Sequence, residues 1–165
     1  MRKFTILILV GLVCIIILGY IGIMKVNNII NAKPNGITFD DLQIGNLKVG
    51  MLYDEVIKIK GNHPKKIEKG ENGVVSFIEY ADGINIALFE SRVQVLSVNN
   101  PSYATARGLK VGDKKDKALR LYGKHNTGSA EDSIWEYSND EGSFGLNIFF
   151  KEDIVTYIQA FIRAM

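Results

Sequence analysis

The sequence has almost no cysteine and almost no net charge, and both absences restrict what the protein can be. Its single cysteine, Cys14, lies in a hydrophobic segment, so the rest of the chain has neither a disulfide nor a thiolate nucleophile. The formal net charge is +2, and Arg2 and Lys3 account for it, which leaves 18 basic and 18 acidic residues from Lys25 onward. A neutral domain lacks the usual electrostatic reason to bind nucleic acid.

The sequence also lacks the patterns that mark common catalytic and metal sites. No serine has a nucleophile-elbow context, and residues 108–112 lack the Gly-Lys-Ser/Thr ending of a phosphate loop. Histidine is the usual candidate for proton transfer at neutral pH, but His63 and His125 both follow a glycine expected to end a helix, where a polar turn residue is sufficient. No spacing supplies the three or four ligands that zinc needs. We therefore predict a protein that is not an enzyme and has no cofactor or metal site.

The sequence does contain one long hydrophobic run. From Phe4 to Met24 the chain has 21 residues without a charge, roughly 31 Å of helix at about 1.5 Å per residue, enough to span a bilayer. The charges before it predict a cytoplasmic N-terminus. We expect residues 1–25 to be a signal anchor in the cell membrane, single-pass, with the C-terminal domain extracytoplasmic. The alternatives are a cleaved signal peptide and a lipid on Cys14, and both also place the domain outside the cytoplasm.

An internal repeat divides the rest of the chain. Residues 108–112, Gly-Leu-Lys-Val-Gly, repeat residues 46–50, Asn-Leu-Lys-Val-Gly, at an offset of 62, and the same offset maps residues 84–86 on residues 146–148. Self-similarity at a fixed offset is typical of duplicated structural units. We predict a stalk and linker at 26–43, a first repeat unit at 44–100 and a second at 101–165.

Each predicted unit is a short helix followed by antiparallel strands. The helices are expected at 52–60 and 114–122, each ending at a glycine. The strands are expected at 74–81, 84–90 and 93–98 in the first unit and at 133–138, 144–151 and 154–162 in the second. The predicted fold class is α+β, an N-terminal transmembrane helix and two tandem units of helix plus β-meander. One unit alone is small, so the two are expected to pack together or share a sheet.

The first unit resembles a known superfamily. Leu47-Lys48-Val49-Gly50-Met51, then Asp54-Glu55-Val56, then Gly61-Asn62-His63-Pro64 is similar to the signature of the outer-membrane-assembly lipoproteins (SmpA/OmlA) and the β-lactamase-inhibitor-like proteins (BLIP-like). The resemblance implies a tandem domain that binds proteins through the open face of its sheet. No inhibitory residue carries over, because the matching positions are the turn and the helix.

Four aromatic residues are the candidate binding surface. In the predicted strands Phe89 and Phe149 alternate with the aliphatic rows, so they lie on the opposite face of the sheet, together with Tyr157 and Phe161. Such a patch is either a protein-binding surface or the contact between the two units.

These observations lead to a functional hypothesis. We expect a membrane-anchored, extracytoplasmic protein-binding module that recognises an envelope or secreted protein through surface complementarity. The first alternative, by analogy with the same fold, is an inhibitor of an exported hydrolase. The second is an envelope small-ligand sensor or hydrolase, which would need convergent polar groups in a pocket.

Overall fold

The computed structural model describes residues 36–70, 73–127, 129 and 133–163. The hydrophobic run at 4–24, the anchor predicted at 1–25 and the first part of the stalk predicted at 26–43 lie outside these residues. No helix in the described ranges is long and apolar enough to cross a membrane.

The described chain forms two short helices and nine strands. A 3₁₀ turn at Phe39–Asp41 precedes a small hairpin of β1 (Gln43–Ile44) and β2 (Leu47–Lys48). Helix α1 (Tyr53–Lys60) is followed by β3 (Lys66–Lys69), β4 (Val75–Glu79), β5 (Ile84–Phe89) and β6 (Arg92–Val98). Helix α2 (Lys115–Tyr122) is followed by β7 (Ile134–Ser138), β8 (Phe144–Lys151) and β9 (Ile154–Ile162).

Seven of these strands form one antiparallel sheet in the order β3-β4-β5-β6-β9-β8-β7. The strands that follow α1 and those that follow α2 meet where β6 pairs with β9, with Val95 opposite Phe161 and Val98 opposite Ile158. A bulge in the β5–β6 ladder places Leu88 opposite Val93 but Ala87 opposite Val95. Because β6 pairs with β9, the sheet is continuous across the middle of the domain.

Both helices end at a glycine because the chain turns there with a positive φ. Gly61 has φ +77° and Gly123 has φ +74°, and each donates its N–H to a helix carbonyl four residues earlier. A side chain at either position would be strained, since L-residues rarely adopt a positive φ. The two glycines thus fix where the chain leaves each helix towards the sheet.

One apolar row crosses the core face of the sheet from β4 to β7. It runs through directly opposite residues on six strands: Ile78, Ile86, Leu96, Ala160, Leu146 and Tyr137. All six are buried, and they belong to one cluster with Val56 of α1 and Ala118 of α2. Since alternate strand residues point to the same face, a single period-2 pattern in each strand builds this core.

The segment before the hairpin is held by a partly buried ion pair. Arg107 binds Asp41 through two contacts, Nε to Oδ1 at 2.6 Å and an NH2 nitrogen to Oδ2 at 2.7 Å. The Asp41 side chain is buried and also accepts the Thr38 N–H at 2.9 Å. This bidentate pair ties the start of the described chain to the loop before α2.

The predicted fold class is wrong in two respects. The domain is mostly antiparallel sheet, with two eight-residue helices in the described ranges. The transmembrane helix predicted at 1–25 lies outside those ranges, and no helix within them could cross a membrane. The second correction concerns the tandem architecture, because the described residues form one compact unit around one core instead of two structural units. The sheet shared through the pairing of β6 with β9 was one of the two expected arrangements. A duplication of the structure is not shown. The boundaries at 44–100 and 101–165 stay a prediction from the sequence.

Candidate functional site

The two faces of the sheet differ in their exposure. The core face carries the buried apolar row and meets α1 and α2. Residues on the other face, which we call the open face, are mostly half-buried or exposed along β4, β5 and β8. The open face is therefore the part of the sheet that can meet another molecule.

A row of polar residues crosses the whole open face. It runs through directly opposite positions on all seven strands: Lys66, Glu79, Asn85, Ser97, Gln159, Asn147 and Glu136. The charged members lie on the outer strands, and the four central members are neutral amides and a hydroxyl. We call this the polar row.

Hydrogen bonds order the centre of the polar row. Asn147 donates from Nδ2 to Gln159 Oε1 at 3.1 Å. The Tyr157 hydroxyl donates to Ser97 Oγ at 2.6 Å, and Ser97 donates onward to the Asn85 main-chain carbonyl at 3.4 Å. Because Tyr157 lies over it, Ser97 is only 3% exposed. These bonds hold the amides and the phenol in fixed positions.

Ion pairs satisfy the charges at both ends of the polar row. At the β7 end Arg163 binds both carboxylate oxygens of Glu136, at 2.8 and 2.9 Å. At the β3 end Lys65 pairs with Glu79, and Lys66 pairs with Glu68. The row therefore presents neutral groups in its centre between charges that are already paired.

A groove runs over the first half of the open face. Its floor includes Asn85, Ala87, Val95 and Ser97. The remaining lining comes from β3, β4, β5 and β9: Lys66, Glu68, Phe77, Ile78, Glu79, Ile86, Tyr157 and Gln159. The groove has a volume of about 340 Å³, near the lower end of the range of about 300–1,000 Å³ usual for small-ligand sites. We call it the sheet groove.

An apolar cluster occupies the other half of the open face. The Phe149 and Tyr157 rings lie opposite one another on β8 and β9, with centroids 5.3 Å apart in an edge-to-face arrangement. Ile134 lies opposite Phe149 on β7 and is 44% exposed. We call Ile134, Phe149 and Tyr157 the aromatic corner. Edge-to-face rings beside an exposed aliphatic side chain are a surface suited to contact with another apolar surface.

The structure brings together two of the four residues predicted as the binding face. Phe149 and Tyr157 are in contact, whereas Phe89 and Phe161 lie on the opposite side of the polar row. Phe89 is partly exposed at the end of β5, opposite Arg92. Phe161 is only 6% exposed, and the Arg163 guanidinium lies 5.0 Å from its ring centroid. Phe161 is therefore a poor candidate for direct contact with a partner.

Sequence reasoning missed Ile134 and the polar row. A signal for the row was present, since Asn85 and Asn147 each interrupt an aliphatic strand and are 62 residues apart. The missing information was the strand order, because only the pairing of β6 with β9 places both asparagines in one line.

A second polar cluster lies at the β4–β5 turn. Lys60, at the end of α1, pairs with Asp82 and donates to the Tyr103 hydroxyl at 3.0 Å, and Tyr103 also donates to Asp82. Burial opposes ionisation of Asp82, but Lys60 and Tyr103 outweigh it and hold the pKa of this carboxyl below its usual value. Burial, with the neighbouring Tyr53 and Asp82, raises the pKa of Tyr80 to about 12. This cluster ties α1 to the sheet.

The two histidines were predicted to be turn residues, and the structure adds a contact for one of them. His125 stacks on Trp135 with ring centroids 4.5 Å apart, and its Nδ1 lies 3.0 Å from the Thr127 carbonyl oxygen. Lys115 lies over the same indole, 4.7 Å from its centroid. His125 thus helps to cover Trp135. Within the described ranges, no three histidine, cysteine or acidic residues are grouped so that they could hold a metal ion.

Comparison with known proteins gives a similarity of fold. No family model matches the sequence. No curated protein matches it either. The crystal structure of an extracellular protein containing a SCP domain, from Bacillus anthracis, covers 79% of this chain and 49% of its own, with a TM-score of 0.54 and 10% identity.

Two further solved structures have lower scores. A cysteine-rich secretory protein from Staphylococcus aureus covers 70% of this chain and 43% of its own, with a TM-score of 0.48 and 9% identity. The uncharacterized protein yfeY from Escherichia coli covers 74% and 97%, with a TM-score of 0.46 and 13% identity. The chain spans about half the length of the first two proteins. At such identities a similarity shows the fold alone.

The predicted membership of the SmpA/OmlA and β-lactamase-inhibitor-like superfamily is wrong, since no family model matches the sequence and the structure that shares the fold at a TM-score of 0.54 is of another kind. The resemblance rested on residues 47–64, where the structure places β2, its turn and α1. Gly50 and Gly61 have φ of +91° and +77° there. Glycines that end a hairpin and a helix meet a need common to many folds, so they do not identify a family.

Proposed function

We propose that this domain is a non-enzymatic module that binds a protein partner outside the cytoplasm through the aromatic corner. The observation that carries the proposal is the contact of Phe149 with Tyr157 beside the exposed Ile134. Aromatic side chains are enriched at the centres of protein interfaces because they bury much area at a small entropic cost. The ordered hydrogen bonds of Tyr157 and Ser97 preorganise this surface.

The place of action is supported by fold similarity. The structure from Bacillus anthracis is described as that of an extracellular protein, and it shares the fold at a TM-score of 0.54. The absence of cysteine from the predicted domain fits either side of a membrane, so it gives no competing argument. We accordingly propose an envelope or secreted protein as the partner.

The hydrolase-inhibitor alternative rested on the superfamily resemblance, and with that resemblance withdrawn no described feature favours it. The small-ligand alternative concerns the sheet groove and is taken up below.

Site-specific photo-cross-linking tests the proposal. A benzophenone amino acid is placed at Ile134 in the full-length protein and, as a matched control, at Ile59 of α1, which is 42% exposed. After illumination of intact cells we expect one discrete adduct from position 134, absent from position 59, and its loss when Phe149→Ala and Tyr157→Phe are added. Equal adducts from both positions, or none from position 134, would reject the aromatic corner as the binding surface.

A further inference from the structure

The sheet groove has features of a ligand site that protein binding at the aromatic corner does not require. It lies mainly over β4, β5 and β6, whereas Ile134 and Phe149 lie on β7 and β8. Tyr157 belongs to both. A ligand in the groove would therefore be a second ligand, recognised mainly by other residues.

The groups that line the groove are neutral in its centre. Gln159 uses its Oε1 to accept from Asn147, and its Nε2 group adds donor capacity. No hydrogen bond of the Asn85 side-chain amide occurs among the described residues, and this amide offers both a donor and an acceptor. Lys66 and Glu68 at the rim pair with each other. Neutral donors and acceptors between paired charges suit a ligand that is polar and uncharged.

An apolar wall completes the site. Phe77 is 53% exposed at the edge of the groove, and Ala87 and Val95 lie directly beside it across β5 and β6. Because the Phe77 side chain is exposed to this extent, a ligand can contact its ring. A ligand that places C–H groups on the ring and hydroxyl groups on the amides would satisfy both kinds of lining.

The main chain of the groove floor is not available for recognition. Strands β4, β5, β6 and β9 are interior strands, so their N–H and C=O groups are engaged in the ladders on both sides. An extended peptide that recognises a protein by strand addition needs a free edge. The edge strand β3 contributes only Lys66 and Glu68 at the rim, and the floor of the groove lies on interior strands. Recognition must come from side chains, and a hydroxyl both donates and accepts, as the Asn85 amide does.

We propose that the sheet groove binds a neutral saccharide, a short segment of a glycan whose ring lies on Phe77 and whose hydroxyls bond to Asn85 and Gln159. Ser97, buried beneath the Tyr157 hydroxyl, holds that phenol at the end of the groove, where the phenol oxygen can accept a ligand hydroxyl. At about 340 Å³ the groove accommodates a small ligand segment and not a large one.

Saturation-transfer NMR and calorimetry with the full-length protein test this site. The probes are the N-acetylglucosamine trimer and the glucose trimer, both neutral. We expect saturation transfer to the ring protons of at least one trimer, and a loss of affinity of about tenfold or more in Asn85→Leu and in Phe77→Ala. The matched control is Ile67→Ala, since Ile67 is 48% exposed and lies opposite Ile78 on the core face.

Each outcome decides the proposal. Absence of transfer from both trimers overturns it, and so does binding that Ile67→Ala weakens as much as Phe77→Ala. A pool of random uncharged peptides is titrated in parallel, and binding of peptides but not saccharides at Asn85 also overturns it. Since Asn85→Leu leaves Ile134 and Phe149 in place, failure of saccharide binding is distinguishable from failure of the photo-cross-link at position 134.

Discussion

Asp40 and Asp41 are adjacent carboxylates with different surroundings. Asp40 is almost fully exposed and pairs with Lys48, whereas Asp41 is buried and pairs with Arg107 through two contacts. Exposed pairs contribute about 0–1 kcal/mol, but removing one partner of a buried pair leaves an uncompensated charge. The same chemical change at neighbouring positions should therefore have unequal effects.

We predict that Asp41→Ala lowers the free energy of unfolding by about 3 kcal/mol or more, because Arg107 loses its two carboxylate contacts and Thr38 loses its acceptor. Asp40→Ala should lower it by less than about 1 kcal/mol. Urea unfolding followed by circular dichroism measures both. Equal effects of the two substitutions would mean that the ion pair at Asp41 does not hold the start of the domain.

Asp41 should also make stability depend on acid pH. Burial opposes its ionisation, but the Arg107 guanidinium and the Thr38 N–H and hydroxyl hold the pKa of Asp41 below its usual value. Since the unfolded pKa is about 3.9, this stabilisation is present above about pH 4 and is lost as the pH falls through the folded pKa. We expect the urea midpoint to fall less steeply between about pH 4 and pH 2 in Asp41→Asn than in the natural protein.

Tyr122 should have the opposite effect at alkaline pH. Burial, with the Asp41 carboxylate nearby, raises its pKa to about 12, although hydrogen bonding to Thr105 and the charge of Arg107 act against the rise. The stabilisation is present below the unfolded pKa of about 10 and is lost as the pH rises towards about 12. Stopped-flow absorbance of tyrosinate should show late-titrating phenols, Tyr80 among them, and Tyr122→Phe should lower their number by one. An unchanged number of late-titrating phenols in Tyr122→Phe would contradict the prediction.

Among the structural elements, the β7–β8 hairpin depends on one close approach of main chains. A Cβ on Gly145 would lie 2.3 Å from the Tyr137 carbonyl oxygen and 2.9 Å from the Ser138 Cα, and these are backbone atoms of the facing strand. The glycine has an ordinary φ, so the constraint is space and not backbone strain. Without a side chain at this position, β7 can pair closely with β8.

We predict that Gly145→Ala costs roughly 1–3 kcal/mol of stability, and that it speeds hydrogen exchange at Tyr137 and Ser138 more than elsewhere. The control is Gly36→Ala, because a Cβ at Gly36 meets nothing within 4 Å. Calorimetric melting and amide exchange measure the two effects. If the melting temperature of Gly145→Ala equals that of Gly36→Ala, the hairpin tolerates the extra carbon and the contact is not limiting.

The first and last residues of some strands were predictable from the sequence. Period-2 alternation located β8, predicted and observed at 144–151, and β9, predicted and observed at 154–162. The β1–β2 hairpin and β3 were missed. β3 has the sequence Lys-Ile-Glu-Lys and is exposed throughout, as an edge strand can be, so it carries no hydrophobic signal. The polar row could not be predicted because it depends on the partner of β6, and strand order is not encoded locally.

On the scale of the whole molecule, the core row from Ile78 to Tyr137 joins β4 to β7 through the β6–β9 pairing. Trp135 is the single tryptophan of the chain and lies on β7, beyond this pairing. Its fluorescence therefore reports on one half of the sheet, while a substitution in β5 acts on the other half. The two observations together test whether the domain unfolds as one unit.

We predict that Ile86→Ala, in the core on β5, lowers the urea midpoint of Trp135 fluorescence by as much as that of the circular dichroism signal, with a loss of about 2–5 kcal/mol. Ile67→Ala, at an exposed position, should leave both midpoints nearly unchanged and the free energy of unfolding within about 0.5 kcal/mol of that of the natural protein. If the Trp135 transition is unmoved while the circular dichroism transition shifts, the two halves unfold separately and the pairing of β6 with β9 is too weak to couple them.

The position of β9 has a consequence for the newly made chain. β9 follows every other described strand in the sequence, yet it lies in mid-sheet between β6 and β8. During synthesis the ladder groups of β6 and of β8 that β9 satisfies stay unpaired, and such open edges invite pairing with other chains. The middle of the sheet is therefore the last part to form. A chain whose synthesis stops before β9 has two open edges, at β6 and β8, that the complete sheet lacks, and it is prone to aggregate.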